Sequence, residues 1–150
     1  PTAMLLLTRR IGQTIYIGDD IRVTVHDRLR YHVTLGVVAP TGLALHYSGA
    51  QLAPAVLPGG EHLYLVTLLA YEALSIGEIE LHVDFNIPFP KGDPRRERQV
   101  RVGITAPKEI PILREELYLR TLAAMGRRLP PPVADWMQRV NQPVMPCAVA

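Results

Sequence analysis

The sequence predicts a mainly β protein made of two similar repeats of short antiparallel strands, followed by a C-terminal helix and a tail. Apolar and polar residues alternate over runs of four to six residues, which is typical of half-buried strands. The same series of runs occurs twice in the same order. The chain also has 14 prolines in 150 residues, which argues against a bundle of long helices.

The first repeat begins with an apolar run that ends at Arg9 and Arg10. Gly18 and Asp19 then separate a second strand from a clear alternation at Ile21, Val23 and Val25. These patterns and the breaks between them place strands near residues 4–10, 13–17, 21–27, 31–37 and 43–47.

The second repeat echoes the first. Ile15–Asp19 is matched by Ala73–Glu78, and His32–Pro40 is matched by Gln99–Pro107. The corresponding strands are expected near residues 63–69, 72–76, 79–84, 98–104 and 110–114. We therefore divide the chain into repeat 1 (4–50), a Gly- and Pro-rich linker (51–62), repeat 2 with its helix (63–127) and a tail (128–150).

A helix is predicted over residues 115–127, because this segment is rich in helix-forming residues. Tyr118, Leu122 and Met125 lie on one face of it, and Gly126 and the prolines 130–132 end it. A second short helix is expected in the tail, with Val133, Trp136, Met137 and Val140 on one face.

Composition limits the class of protein. Lys and Arg number 16 against 14 for Asp and Glu, a net charge of +2 that is too weak by itself to indicate a nucleic-acid partner. No apolar run approaches the roughly 18 residues of a membrane span, and Pro1–Leu7 lacks the organisation of a signal peptide. Cys147 is the single cysteine, which excludes an internal disulfide. We expect a cytoplasmic protein.

No catalytic or metal-binding pattern is present. The five histidines are isolated and lack ligand spacing, and neither a Ser-His-Asp order nor a phosphate-binding glycine loop occurs. We expect neither an enzyme nor a cofactor or a small-molecule substrate.

Two long segments resemble one known family. Residues Met4–Asp19 are similar to the start of carbon storage regulator (CsrA/RsmA) proteins, and Gln99–Tyr118 is similar to their end. The resemblance covers most of the chain in two copies and leaves out the linker and about the last 25 residues. It implies two interleaved CsrA-like repeats that form a pseudo-dimeric pair of small antiparallel sheets.

The resemblance also implies a function. Members of the family are homodimers that bind GGA sequences in single-stranded loops of messenger or small regulatory RNA and act as translational regulators. Each of their two RNA sites combines the first strand of one subunit with the last strand of the other.

The two repeats have lost complementary parts of this site. The first strand of repeat 1 keeps Arg9 and Arg10, where repeat 2 has Leu68 and Leu69. The last strand of repeat 2 keeps Arg114, where repeat 1 has Tyr47. With the strand pairing of the family, one site is intact and the other has none of these arginines. If both strands of a site came from one repeat, each repeat would hold half a site.

The intact site is expected to use both strands and a loop of repeat 2. Its predicted RNA-binding residues are Leu7, Thr8, Arg9, Arg10, Ala106, Pro107, Lys108, Ile112, Leu113, Arg114 and Glu115.

Three alternatives remain open. Arg9 and Arg10 could simply protect an edge strand from aggregation. The basic loop at residues 91–98 is either a solvated loop or an accessory grip on phosphates. The scaffold could also be a protein-interaction module that has lost RNA binding, with the apolar face of the tail as a protein contact.

Overall fold

The computed structural model describes residues 2–29, 32–70, 72–84 and 99–127. Within these ranges the chain forms twelve strands and one helix: β1 (Thr2–Arg10), β2 (Thr14–Ile17), β3 (Ile21–Arg28), β4 (His32–Ala39), β5 (Leu45–Tyr47), β6 (Ala50–Gln51), β7 (Ala55–Val56), β8 (His62–Leu69), β9 (Ala73–Ile76), β10 (Ile79–Asp84), β11 (Gln99–Pro107), β12 (Ile112–Arg114) and α1 (Glu115–Ala124).

The strands form two antiparallel sheets that each take strands from both halves of the chain. The first sheet has the order β1-β11-β10-β9-β5-β6, and the second has the order β12-β2-β3-β4-β8-β7. The first and last strands of repeat 1 therefore flank three strands of repeat 2, and the reverse holds in the second sheet. The predicted fold class is confirmed: the protein is mainly β, with two interleaved repeats and a C-terminal helix.

One hydrophobic core lies between the sheets. It contains buried residues of the second sheet, such as Leu35 and Val66, together with residues of the first, such as Leu81 and Ile104. On β10 the burial alternates residue by residue, as expected for a strand with one face in the core. On β2 all four residues are buried, because the outer face of this strand is covered as well.

The turns explain why both repeats fold alike. Gly18 and Gly77 occupy equivalent positions after β2 and β9, and both have positive φ angles, 65° and 56°. Residues with a side chain rarely adopt this conformation, so glycine is favoured at both turns.

The ten predicted strands are present, with small shifts in their ends. β1 begins at Thr2, β5 and β12 are shorter than expected, and α1 ends at Ala124 instead of residue 127. The main difference is at the linker, which contains β7 and the second residue of β6. The basic loop at residues 91–98 and the predicted tail helix lie outside the described residues, and the repeat boundaries stay a prediction.

Candidate nucleic-acid interface

Two edge strands from opposite ends of the sequence form one margin of the molecule. β1 is the outermost strand of the first sheet, and β12 is the outermost strand of the second. Within the described part of the chain, neither has a strand on its outer side. We call this pair of edges the β1/β12 margin.

Both strands of the margin start near one turn. Thr2 at the start of β1 pairs with Pro107 at the end of β11. The following turn is closed by the Ile110 amide, which donates to the Pro107 carbonyl at 3.1 Å, and leads directly into β12. This turn contains Pro107 and the exposed Lys108, whereas Ala106 is 1% exposed and paired within the sheet. The predicted loop therefore lies at the opposite end of β1 from Arg9 and Arg10.

Arg9 joins β1 to the helix that follows β12. Its guanidinium donates to both carboxylate oxygens of Glu116, at 3.0 and 2.5 Å, and to the Thr14 carbonyl oxygen at 3.1 Å. Arg9 is 3% exposed, while the Glu116 side chain remains 55% exposed. The hydrogen bond from Arg9 holds the pKa of the Glu116 carboxyl below its usual range. The two ends of the sequence are thus tied together at this margin.

Arg10 lies on the opposite face of β1 from Arg9 and is exposed. Its amide donates to the Gln13 side-chain oxygen at 2.9 Å, and the Gln13 amide donates to the Arg10 carbonyl at 3.0 Å. Thr8, half-buried, is on the same face as Arg10 and pairs directly with Arg101 of β11.

Arg101 was not among the predicted site residues. Its side chain is 41% exposed and lies 3.8 Å from a carboxylate oxygen of Asp84. Because directly paired residues of antiparallel strands project from the same face, Arg101 adds a cation beside Thr8. The register of β1 with β11 was the missing signal, since it joins residues that are far apart in the sequence.

On β12 the predicted residues take different positions. Ile112 packs against the core between the sheets, and Leu113 packs against Tyr16 and Tyr118 on the outer face. Arg114 is exposed, and its side chain forms no ion pair or hydrogen bond within the described residues. Glu115 is half-buried, and this burial raises the pKa of its carboxyl. On β1, Leu7 also packs against the core.

The helix α1 holds β12 in place. The Tyr118 ring stacks on the Tyr16 ring of β2 with 3.9 Å between centroids and an angle of 12°. The Tyr118 hydroxyl donates to a carboxylate oxygen of Asp19 at 3.1 Å, and Leu122 is buried in the same cluster. β12 therefore has β2 on one side and a docked helix directly after it.

The opposite margin is formed by β8, the strand of repeat 2 that is equivalent to β1, and by β5, the strand of repeat 1 that is equivalent to β12. Here Tyr47, at the position of Arg114, donates from its hydroxyl to Glu72 Oε1 at 2.6 Å. The same oxygen accepts the amide of Leu69, at the position of Arg10, also at 2.6 Å. We call these strands the β5/β8 margin; a tyrosine and a leucine replace two arginines in it.

The buried pair of the first margin is also missing from the second. In the alignment of the repeats, Arg9 corresponds to Leu68 and Glu116 corresponds to Gly49. Leu68 is fully buried in the core. The Arg9–Glu116 ion pair of the first margin therefore has no counterpart at the matching positions of the second, which hold a leucine and a glycine.

Among the residues that the structure describes, no group of three or more His, Cys, Asp or Glu side chains is placed to hold a metal ion. No helix among them is long and apolar enough to cross a membrane.

The comparisons with known proteins agree with this architecture. The family model CsrA, described as a global regulator protein family, matches residues 4–47 and 95–122. These segments contain most of β1, the strands β2 to β5 and, in the second half, β11, β12 and most of α1. No solved structure matches the chain. Over these two segments the chain is similar to the CsrA family of global regulators.

Proposed function

We propose that the protein is a post-transcriptional regulator that binds GGA motifs in single-stranded RNA loops, through one site at the β1/β12 margin. The observation that carries the proposal is the exchange of strands between the halves. It brings β1 of repeat 1 and β12 of repeat 2 to the same margin, where the exposed Arg10 and Arg114 remain.

The edge of β1, which no strand of the described residues covers, supplies the first kind of contact. Arg10 directs its backbone amide and carbonyl to Gln13 and away from β11. Because this direction alternates along a strand, Met4, Leu6 and Thr8 present their backbone groups at the same edge. Unpaired amides and carbonyls can recognise the edges of unstacked bases, which is how single-stranded RNA is read.

Charge supplies the second kind of contact. Arg10 and Arg114 are exposed guanidinium groups that can contact phosphates or bind guanine through two hydrogen bonds. Lys108 offers a further cation at the other end of the strands. Leu7 and Ile112 fix the two strands to the core, and Leu113 packs at the junction with α1, where Glu115 is half-buried. We assign Arg9 to positioning, since Glu116 and Thr14 already occupy its guanidinium.

Titration of the protein with a short RNA hairpin that carries GGA in its loop tests the proposal. We expect saturation at one RNA per chain and loss of binding to a hairpin with CCA instead. Arg114→Ala is expected to weaken binding by about 5- to 150-fold, corresponding to ~1–3 kcal/mol for one cationic contact, with an unchanged circular dichroism spectrum. Equal affinity for the GGA and CCA hairpins would contradict GGA recognition.

A protein-interaction module is the second candidate. Met4, Leu5 and Leu6 at the start of β1 are 57%, 38% and 49% exposed, an apolar stretch on an open strand edge. Such an edge can pair with an extended segment of another protein. Failure to bind either hairpin, together with recovery of a protein partner that is lost in Leu6→Asp, would favour this candidate.

A further inference from the structure

The second margin differs from the first in more than its missing arginines, because the linker lies against it. β6 pairs with β5, with Ala50 opposite Tyr47 and Gln51 opposite His46. The Leu52 amide adds a bond to the Leu45 carbonyl at 2.9 Å. The edge of β5 is thus covered along its whole length, whereas no strand of the described residues covers the equivalent edge of β12.

The linker also reaches the other strand of this margin. In β7, Ala55 pairs with Leu63 and Val56 pairs with His62, so the start of β8 is covered. Leu52 and Leu57 are 6% and 4% exposed, and these buried side chains fix the linker to the body of the protein. At the far end of β8, Glu72 binds both Tyr47 and Leu69 and joins the two strands.

The local sequence favours this arrangement. Ser48 and Gly49 join β5 to β6 and have φ angles of 53° and 79°. A two-residue turn with both φ angles positive matches the twist of a β-hairpin. In repeat 2 the chain enters α1 at the corresponding point, so β12 acquires no such partner.

We propose that the β5/β8 margin is a strand-binding site whose occupant is the chain's own linker, and that this closure limits the protein to one RNA. The limit on RNA rests on the proposed function, whereas the closure itself does not. Restoring the arginines of the second margin will therefore not restore a second RNA site while β6 remains paired with β5.

Hydrogen exchange tests the closure without RNA. We expect the Leu52 amide to exchange on the order of a hundredfold more slowly than in an unstructured chain, because it is bonded to Leu45. In Gly49→Val/Ala50→Pro this protection should be lost. No atom lies within 4 Å of a Cβ added at Gly49, so valine acts through the positive φ and not through a clash. Exchange of Leu52 at the unstructured rate in the unaltered chain would overturn the closure.

RNA stoichiometry tests the consequence. Tyr47→Arg/Leu69→Arg restores cations at half-buried and exposed positions and leaves the buried Leu68 unchanged. We expect this variant to bind one GGA hairpin, and to bind two when Gly49→Val/Ala50→Pro is added. Gly59→Val, added to Tyr47→Arg/Leu69→Arg, is the control for the glycine-to-valine change: Gly59 has no positive φ and no atom within 4 Å of an added Cβ, so the stoichiometry should stay at one.

The outcomes separate the two proposals. Two results would overturn the limit set by the linker. One is that Tyr47→Arg/Leu69→Arg alone binds two RNA hairpins. The other is that this variant still binds only one RNA hairpin after Gly49→Val/Ala50→Pro has disrupted the β5–β6 turn. If the unaltered chain binds no RNA, the proposed function fails, and the exchange of Leu52 still decides whether the linker closes this margin.

Discussion

Arg9 illustrates how a charged residue at a predicted binding strand can have an internal role. A nearly fully buried guanidinium is costly unless oxygens accept its hydrogen bonds; here Glu116 and Thr14 accept from the two terminal nitrogens, while Nε is buried without a partner. The bonds connect β1, the start of β2 and the start of α1. Arg9 therefore sets the position of β12 relative to β1, which is the geometry that an RNA strand would meet.

This role predicts a specific pattern of RNA affinities. Arg9→Ala should weaken binding of the GGA hairpin without changing the slope of log affinity against log salt, because no phosphate contact is lost. Glu116→Gln should also weaken binding, although removing a negative charge would by itself favour RNA. The double variant should lose little more than either single variant, since both act on one interaction.

Arg114→Ala serves as the comparison for this series. If Arg114 contacts a phosphate, its loss should reduce the salt slope by about one. A similar reduction in Arg9→Ala would mean that Arg9 leaves Glu116 and contacts RNA directly.

Sequence alternation could predict part of this arrangement. It requires Arg9 and Arg10 to point to opposite faces of β1. It could not decide which of them faces inward, because Met4–Leu7 is apolar without alternation. The decision depends on Glu116, 107 residues away in the chain, and on the docking of α1.

At the scale of elements, α1 depends on its contact with the second sheet. A helix of ten residues is marginal in isolation, and this one lacks a side-chain cap at its start, Arg114. Glu115 and Glu116 in its first turn are favourable for the helix dipole. Most of its stability must come from Tyr118 and Leu122, which pack on Tyr16.

This contact should be sensitive to high pH. Burial raises the pKa of Tyr16 to about 12, against an ordinary value of 10.0. Because the folded state favours the neutral phenol, its contribution is full below pH 10 and is lost as the pH rises from 10 towards 12. We expect the helical circular dichroism signal to fall in this range together with the rise of tyrosinate absorbance.

Tyr16→Phe is the matched control for the pH effect. It keeps an aromatic ring against Tyr118 but removes the ionisable group of Tyr16, so the loss of helix should move to higher pH. An unchanged midpoint in this variant would show that Tyr16 is not the group responsible.

The two short strands β6 and β7, at the linker, could not be predicted from the sequence. Most of the ten predicted strands carry enough alternation to be identified, and all ten are present. β6 and β7 have two residues each, too few to show a period, and they lie in a Gly- and Pro-rich segment that is typical of a loop. They form because the edges of β5 and β8 offer partners, and the local sequence does not reveal those edges.

At the scale of the whole molecule, neither repeat has a sheet of its own. Both sheets combine strands of both repeats, and one core spans them. Periodicity predicts the strands, but the exchange between repeats depends on contacts far apart in sequence, and it was expected here only from the family resemblance. The predicted strands alone therefore do not show that β1 lies beside β12 and β8 beside β5.

Because the repeats share one core, we expect the protein to unfold in a single transition. Leu35→Ala in repeat 1 and Ile104→Ala in repeat 2 both remove fully buried side chains, and each should cost about 2–5 kcal/mol of stability. Each should lower the Tm of the same transition, measured by circular dichroism and by tyrosine fluorescence. Two transitions, each shifted by only one of the variants, would contradict a shared core.

The joining of two repeats in one chain also changes what mutation can do to them. In a symmetric homodimer one gene encodes both sites, so a substitution that removes an arginine removes it twice. Here the equivalent residues 47 and 114 are encoded by separate codons, and so are the equivalent residues 69 and 10. Selection can therefore act on one margin independently of the other, and Tyr47, Leu69 and the paired strand β6 belong to the second margin alone.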